Sequence, residues 1–377
     1  MSRQSELAEL SRVYDSSALS NRRLTINGAM NVAQRGTSTT GVGDGTAGYL
    51  TVDRFRFQKA GSPTARYTMT QNSDSPDGFS NSLKLEVTTA DTSVGASEHQ
   101  YIDQFIEAQD IQHLAWDTSS SGKSVTLSFY VKCSTAQTFA VDLINEDNSR
   151  YFNTTYAVSS ANTWEYKTIT IPADASNGFN DDNGRGLRIR WSLAAGSNLT
   201  DGSVSTAWSG TQHTATNHEN TWIGATGRTW QLTGVQLELG DTATPFEHRS
   251  YGDELRRCQR YTSIISAAGH TPSTDSAYAR YITFGTSATV SKWINTLPVT
   301  MRATPTLITK DFTASNVQIY NYSDDAVRTF SSVALTESGK NSIQANFTIA
   351  SGGGNGKAIT WRWNNNPNAY IGFDAEL

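Results

Sequence analysis

The chain has 377 residues, of which 17% are charged and 37% hydrophobic, and a formal net charge of −5. That length accommodates two or three domains, each large enough for its own core. Without a basic run of five or more residues, nucleic acid is excluded as an expected partner. No apolar run approaches the ~20 residues of a membrane helix, so no membrane insertion is expected.

Twenty-nine glycines, four methionines and 10% aromatic residues suit sheets joined by many turns better than helices. Residues 1–23 begin MSRQSELAELSRVYDSS, which lacks the apolar core of a signal peptide. Leu7, Leu10 and Tyr14 recur there at helical spacing, but the seam is too short to hold a coiled coil alone. This segment is read as an attachment or oligomerisation element, with a frayed terminus as the alternative.

Residues 24–246 follow a β pattern. In SVTLSFYVK, Val125, Leu127, Phe129 and Val131 share one face. In GLRIRWSLA, Leu187, Ile189, Trp191 and Leu193 oppose Arg188 and Arg190. Strict period two over eight residues predicts strands. In RTWQLTGVQLELG the phase slips between Leu232 and Val235, and one extra residue at Thr233-Gly234 restores a single face, which predicts a β-bulge. Residues 101–116 fit a helix or a strand followed by a helical turn. After Thr244-Pro245, Ser250-Tyr-Gly-Asp253 has the form of a capping box, which predicts a short helix. Tyr251, Leu255 and Cys258 share one of its faces, and residues 247–262 form a linker and neck. Beyond it, SIQANFTIA, AITWRW and YIGFDAEL alternate again, giving a second β region over 263–377.

Several motifs have ordinary readings. GDGTAG (43–48) lacks the preceding strand and following helix of a dinucleotide site and is a glycine-rich loop. NDDNG (180–184) reads as a solvated turn, with calcium binding through Asp181, Asp182 and Asn183 as the alternative. His213, His218 and Glu219 do not share a face, so no metal site and no cofactor is expected. No catalytic motif is present, and Asp142, Glu146 and Asp147 are candidates only as acids near loops. Cys133 and Cys258 are expected as free thiols.

Among nine tryptophans, Trp164, Trp191, Trp230, Trp361 and Trp363 lie in alternating strands and are expected in cores. Trp116, Trp208 and Trp222 lie in polar surroundings (LAWDTSS, TAWSG, ENTWIG). They are the candidate glycan-binding rings, because an aromatic face takes a sugar's C–H surface while amides and carboxylates bond its hydroxyls. The alternative is that each ring plugs the end of a sandwich.

LTINGAMNVAQRGTS (24–38), VDRF (52–55), LSFYVKCS, WEYKTITIP, LTGVQLELGDTATPFEHRSYGDELRRCQRY, LPVTMRATPT (297–306) and YIGFDAEL together resemble tail-fibre and related virion proteins of tailed bacteriophages and prophages. The resemblance covers most of the chain from residue 24 and does not extend to residues 1–23. The central region is also similar to carbohydrate-binding-module jelly rolls. The resemblance implies a virion surface protein, made in the bacterial cytoplasm and commonly trimeric, whose β-sandwich domains reach or bind host glycans. It transfers no fixed set of binding residues.

The expectation is therefore an all-β chain: a jelly-roll sandwich over 24–246, a helical neck, and a smaller C-terminal β-sandwich. In a homotrimer the neck would place Tyr251, Leu255 and Cys258 at the axis; in a monomer that face would pack on the chain's own domains. The expected function is a non-enzymatic phage receptor-binding protein that recognises host cell-surface polysaccharide and is held to other virion proteins through residues 1–23. The alternatives are a head fibre or capsid decoration protein, and a polysaccharide depolymerase.

Overall fold

The computed structural model describes residues 22–116, 122–175, 177–212, 214–266, 281–313, 315–321, 326–351, 357–363, 366 and 369–377. The proposed attachment segment, apart from Arg22 and Arg23, therefore lies outside the described residues. The protein is mostly β and forms two compact units, residues 1–254 with Leu377, and residues 255–376.

The first unit contains twelve strands: β1 (Ser38–Val42), β2 (Gly48–Tyr49), β3 (Arg56–Ala60), β4 (Arg66–Asn72), β5 (Ser82–Thr89), β6 (His99–Glu107), β7 (Val125–Cys133), β8 (Gln137–Asn145), β9 (Arg150–Val158), β10 (Glu165–Ile171), β11 (Arg185–Ala195) and β12 (Thr229–Leu239). They form two six-stranded antiparallel sheets, β1-β4-β5-β12-β7-β10 and β2-β3-β6-β11-β8-β9. One apolar core runs between them. Met69, Leu85, Leu127 and Phe129 come from the first sheet, and Phe57, Ile102, Ile189 and Trp191 from the second. Each large apolar side chain fully buried there contributes roughly 1.5–3 kcal/mol. The ambiguous stretch 101–116 resolves into β6 and a 3₁₀ turn over Ala108–Leu114.

The expected bulge in β12 is present. Its register with β7 shifts between Thr233 and Gln236, and Trp230, Leu232, Val235 and Leu237 all face the core. Gly234 has φ +62°, and a Cβ added there would lie 2.9 Å from both Phe79 Cζ and Tyr130 Cδ2. Residues 24–28 run alongside the same strand. Leu24 N donates to Leu237 O and Val235 N to Gly28 O.

Helix α1 (Tyr251–Gln259) starts as expected, with Ser250 Oγ accepting the Asp253 amide at 3.2 Å. Its buried face differs from the expected one. Tyr251 is 60% exposed and Leu255 half-buried, whereas Glu254, Cys258 and Tyr261 are buried. Of the three neck candidates, Cys258 is thus buried within the chain, Leu255 partly so, and Tyr251 open. The cause is a buried carboxylate. Glu254 accepts from the Arg23 guanidinium and, at 2.5 Å, from the Asn27 amide, and so turns its own face inward. Apolar periodicity cannot register an anchoring charge.

The second unit holds β13 (Thr262–Ser266), β14 (Tyr281–Gly285), β15 (Val290–Thr296), β16 (Thr306–Lys310), β17 (Val317–Asn321), β18 (Ala326–Arg328), β19 (Phe330–Ser338), β20 (Ser342–Ile349), β21 (Ala358–Trp363) and β22 (Tyr370–Asp374). A three-stranded sheet, β13-β22-β16, and a seven-stranded sheet, β18-β17-β21-β14-β15-β20-β19, share a core of Trp293, Phe347, Trp361, Ile371 and Phe373. Of the residues expected to alternate inward, Ile343, Ala345, Phe347, Ile349, Ile359 and Trp361 are buried, while the side chain of Trp363 lies outside the described residues.

Replacing Gly234 with Ala should destabilise the first unit by about 1–3 kcal/mol, from a disfavoured backbone and two close contacts. Gly210→Ala, where nothing lies within 4 Å, should stay within about 0.5 kcal/mol. Urea unfolding followed by tryptophan fluorescence separates the two. Glu254→Ala removes the buried carboxylate paired with Arg23 and bonded to the Asn27 amide, and should cost about 3–5 kcal/mol in the same assay.

Candidate functional site

The three candidate rings lie inside the first unit. Trp116, Trp208 and Trp222 are 2%, 7% and 0% exposed. Each indole N–H donates to a backbone carbonyl at 2.7 Å, of Lys123, Pro172 and Leu193 respectively. Trp116 meets Trp208 edge-on at 5.0 Å and stacks on Phe179 at 5.2 Å, while Trp222 stacks separately on Tyr67 at 5.5 Å. They are core rings, and sugars cannot reach their faces. Polar neighbours in sequence did not keep these rings at the surface: all three belong to the core of the first unit.

In the first unit an accessible aromatic surface lies elsewhere, on the outer face of the first sheet. Trp164, expected in the core, precedes β10 and is half-buried; Tyr166, two residues on, is 46% exposed. Alternation puts both on the side opposite Ile169 and Ile171. Tyr166 pairs in register with Tyr130 of β7, their rings 4.9 Å apart, and Tyr130 pairs with Thr233 of β12. Lys132 lies opposite Gln231 in the next row, its Nζ 5.9 Å from the Trp164 ring centroid.

Asp74, from the β4–β5 loop, ties these strands together. Its Oδ2 accepts from Lys132 Nζ at 2.8 Å and Gln231 Nε2 at 3.1 Å, and its Oδ1 accepts from Trp164 Nε1 at 3.2 Å. Partial burial works against the charged form, but the hydrogen bonds from Lys132, Gln231 and Trp164 outweigh it and hold the Asp74 carboxyl below the usual carboxylate range. The turn that presents Trp164 is fixed by Glu165, whose Oε1 accepts the Ser159 and Ser160 amides at 2.8 and 2.7 Å. The result is a pre-set row of rings beside an ionised carboxylate, an amide and an ammonium group, the set of partners that a sugar's C–H face and hydroxyls require.

Other candidates are engaged structurally. Asp142 pairs with Arg190 at 2.9 Å and Glu146 with Arg188 at 3.3 Å, while Asp147 accepts from Asn180 at 3.0 and 2.8 Å. Asp181 is exposed, and Asp182 Oδ1 accepts the Gly184 amide at 2.8 Å. Among the described residues no group of three His, Cys, Asp or Glu side chains is placed to hold a metal ion. Both cysteines are buried free thiols, and burial pushes Cys133 up to about 11. A polar cleft of about 640 Å³ lies apart from the rings, lined by Asp91, Ser93, Ser197, Thr200, His218 and Asn220 among others. Asp91 accepts the Thr64 and Ser93 amides there, and Asn220 bonds both backbone groups of Ala195.

No known family model matches the sequence. No curated protein matches it either. Among solved structures, the fold is similar to the enzymatically active domain of tailspike protein 4 of bacteriophage CBA120, at 13% identity and TM-score 0.31. That match covers 58% of this chain and 21% of the tailspike chain. It is also similar to a family 30 carbohydrate-binding module (10% identity, TM-score 0.29, 62% of this chain and 95% of the module). A family 11 module from Clostridium thermocellum, in complex with a mixed-linked tetrasaccharide, gives 11% identity and TM-score 0.27 over 51% of this chain and 91% of the module. At these TM-scores the likeness carries no argument about what this chain binds.

Because the folded Asp74 carboxyl titrates below its unfolded value, its stabilising contribution is complete above the ordinary Asp pKa. It is lost as pH falls through the lower, folded value. The Asp74 contacts to Lys132, Gln231 and Trp164 should therefore contribute evenly to stability between about pH 5 and pH 8 and weaken only below the usual carboxylate range. The difference in unfolding free energy between the parent and Asp74→Asn across pH would show this. A loss centred near neutral pH would contradict that assignment.

Proposed function

We propose that the protein is a bacteriophage tail-fibre or receptor-binding protein that holds host cell-surface polysaccharide on the Trp164–Tyr166 platform without catalysis. The observation that carries this proposal is the exposed Tyr166 ring beside Trp164, with Asp74 fixed between Trp164, Lys132 and Gln231. A carboxylate held ionised by three donors suits the acceptance of sugar hydroxyl hydrogen bonds and does not suit proton donation to a leaving group. The two antiparallel six-stranded sheets support the jelly-roll assignment for this unit.

Individual sugar sites of this kind are weak, and several copies on one particle raise avidity by orders of magnitude. A homotrimer on the virion, attached to other virion proteins through residues 1–23, is part of the proposal. In the second unit Ile282, Phe284 and Ile294 are 64%, 54% and 57% exposed on β14 and β15, and association of copies would cover such side chains. Sedimentation should give a mass near three times 41.0 kDa; a stable monomer would remove the trimer from the account.

Trp164→Ala should weaken binding of purified host polysaccharide about tenfold, near 1.4 kcal/mol, with the melting temperature almost unchanged. Trp208→Phe should alter stability more than binding. Unaltered affinity in Trp164→Ala would remove the platform from the site. Shortening of the polysaccharide during incubation would favour a depolymerase, and binding to empty capsids in place of cells a decoration protein.

A further inference from the structure

The platform does not end at Tyr130. Phe79, from the same β4–β5 loop as Asp74, lies 5.5 Å from Tyr130, and on its other side meets Phe246 at 5.0 Å and His248 at 5.2 Å. Tyr166 and His248 are exposed, and Tyr130, Phe79 and Phe246 are half-buried. A chain of rings thus crosses the outer face from β10, over β7 and the β12 bulge, to the segment after β12. Its steps of 4.9, 5.5 and 5.2 Å from Tyr166 to His248, between rings tilted by 43°, 59° and 43°, are comparable in length to one pyranose ring of a glycan.

Resting on the glycan assignment above, we infer that this site takes an interior stretch of an uncharged polysaccharide, about three to four sugar rings long, laid across the strands from Trp164 to His248. The lysines bordering the track are already matched. Lys132 pairs with Asp74 and Lys84 with Glu86, each at 2.8 Å. A glycan carboxylate would have to compete with those pairs, whereas hydroxyls add to them. The Gly234 bulge allows the track to be continuous, since a side chain there would meet both Phe79 and Tyr130.

The test is a binding series of glucose, galactose, mannose and N-acetylglucosamine oligomers, one to six units long, at low and high salt. The probes are applied to the full chain and to its Trp164→Ala and His248→Ala variants. For the sugar that binds, affinity should rise at least tenfold from the monomer to the tetramer and then level off, with little change on raising salt. His248→Ala should remove part of the gain on lengthening, while Trp164→Ala should weaken every length. Equal affinity for monomer and hexamer, or a hexamer that binds His248→Ala as well as the parent, would overturn the extended site while leaving glycan binding intact. A steep fall with salt would overturn the uncharged ligand. No binding by any oligomer at millimolar concentration would overturn the glycan assignment itself.

Discussion

One residue without a side chain, Gly234, sets the geometry on which the first unit depends. Strand β12 must keep Trp230 and Leu232 in the core and then Val235 and Leu237, which lie on opposite parities. A single unpaired residue reconciles them, and glycine takes its positive φ without strain. The same missing side chain makes room outside the sheet, where Phe79 and Tyr130 close over the bulge at 5.5 Å. The inward consequence is a continuous core, and the outward one is the floor of an aromatic surface. A continuous core and an outer aromatic surface therefore share one backbone irregularity.

Much of the fold was legible because period two is a direct geometric consequence of the strand. The faces of β7, β11, β20 and β22 follow from alternation alone. The bulge followed from a break in that alternation, and the start of α1 from Ser250 and Asp253. The inward face of α1 was not legible, because what turns it is Glu254, a charge buried against Arg23. Hydropathy assigns such a residue to solvent; only its partner, more than two hundred residues away, reverses that.

Of the two readings open for the candidate rings, burial favours packing over glycan contact, because polar neighbours in sequence do not set exposure. Trp116 and Trp208 have polar neighbours in sequence, yet their rings are buried against one another and each indole is bonded to a carbonyl. Trp164 was assigned to the core because it lies in a strand-like stretch, although WEYKTITI holds the contrary signal. Trp164 and Tyr166 share parity with Thr168 and Thr170, against Ile169 and Ile171. Parity within a strand was the better guide than the composition around it. Asp74 and Phe79 carried no signal, since the loop that brings them onto β7 and β12 is set by tertiary folding.

The account turns on which tryptophan meets the ligand, and indole N–H resonances report that directly. In a 1H–15N spectrum of the labelled protein titrated with host polysaccharide fragments, the Trp164 signal, assigned through Trp164→Phe, should shift with saturation. The signals of Trp116, Trp208 and Trp222 should stay in place. Shifts confined to those three buried rings, with Trp164 unmoved, would contradict the platform and return the site to the sandwich end.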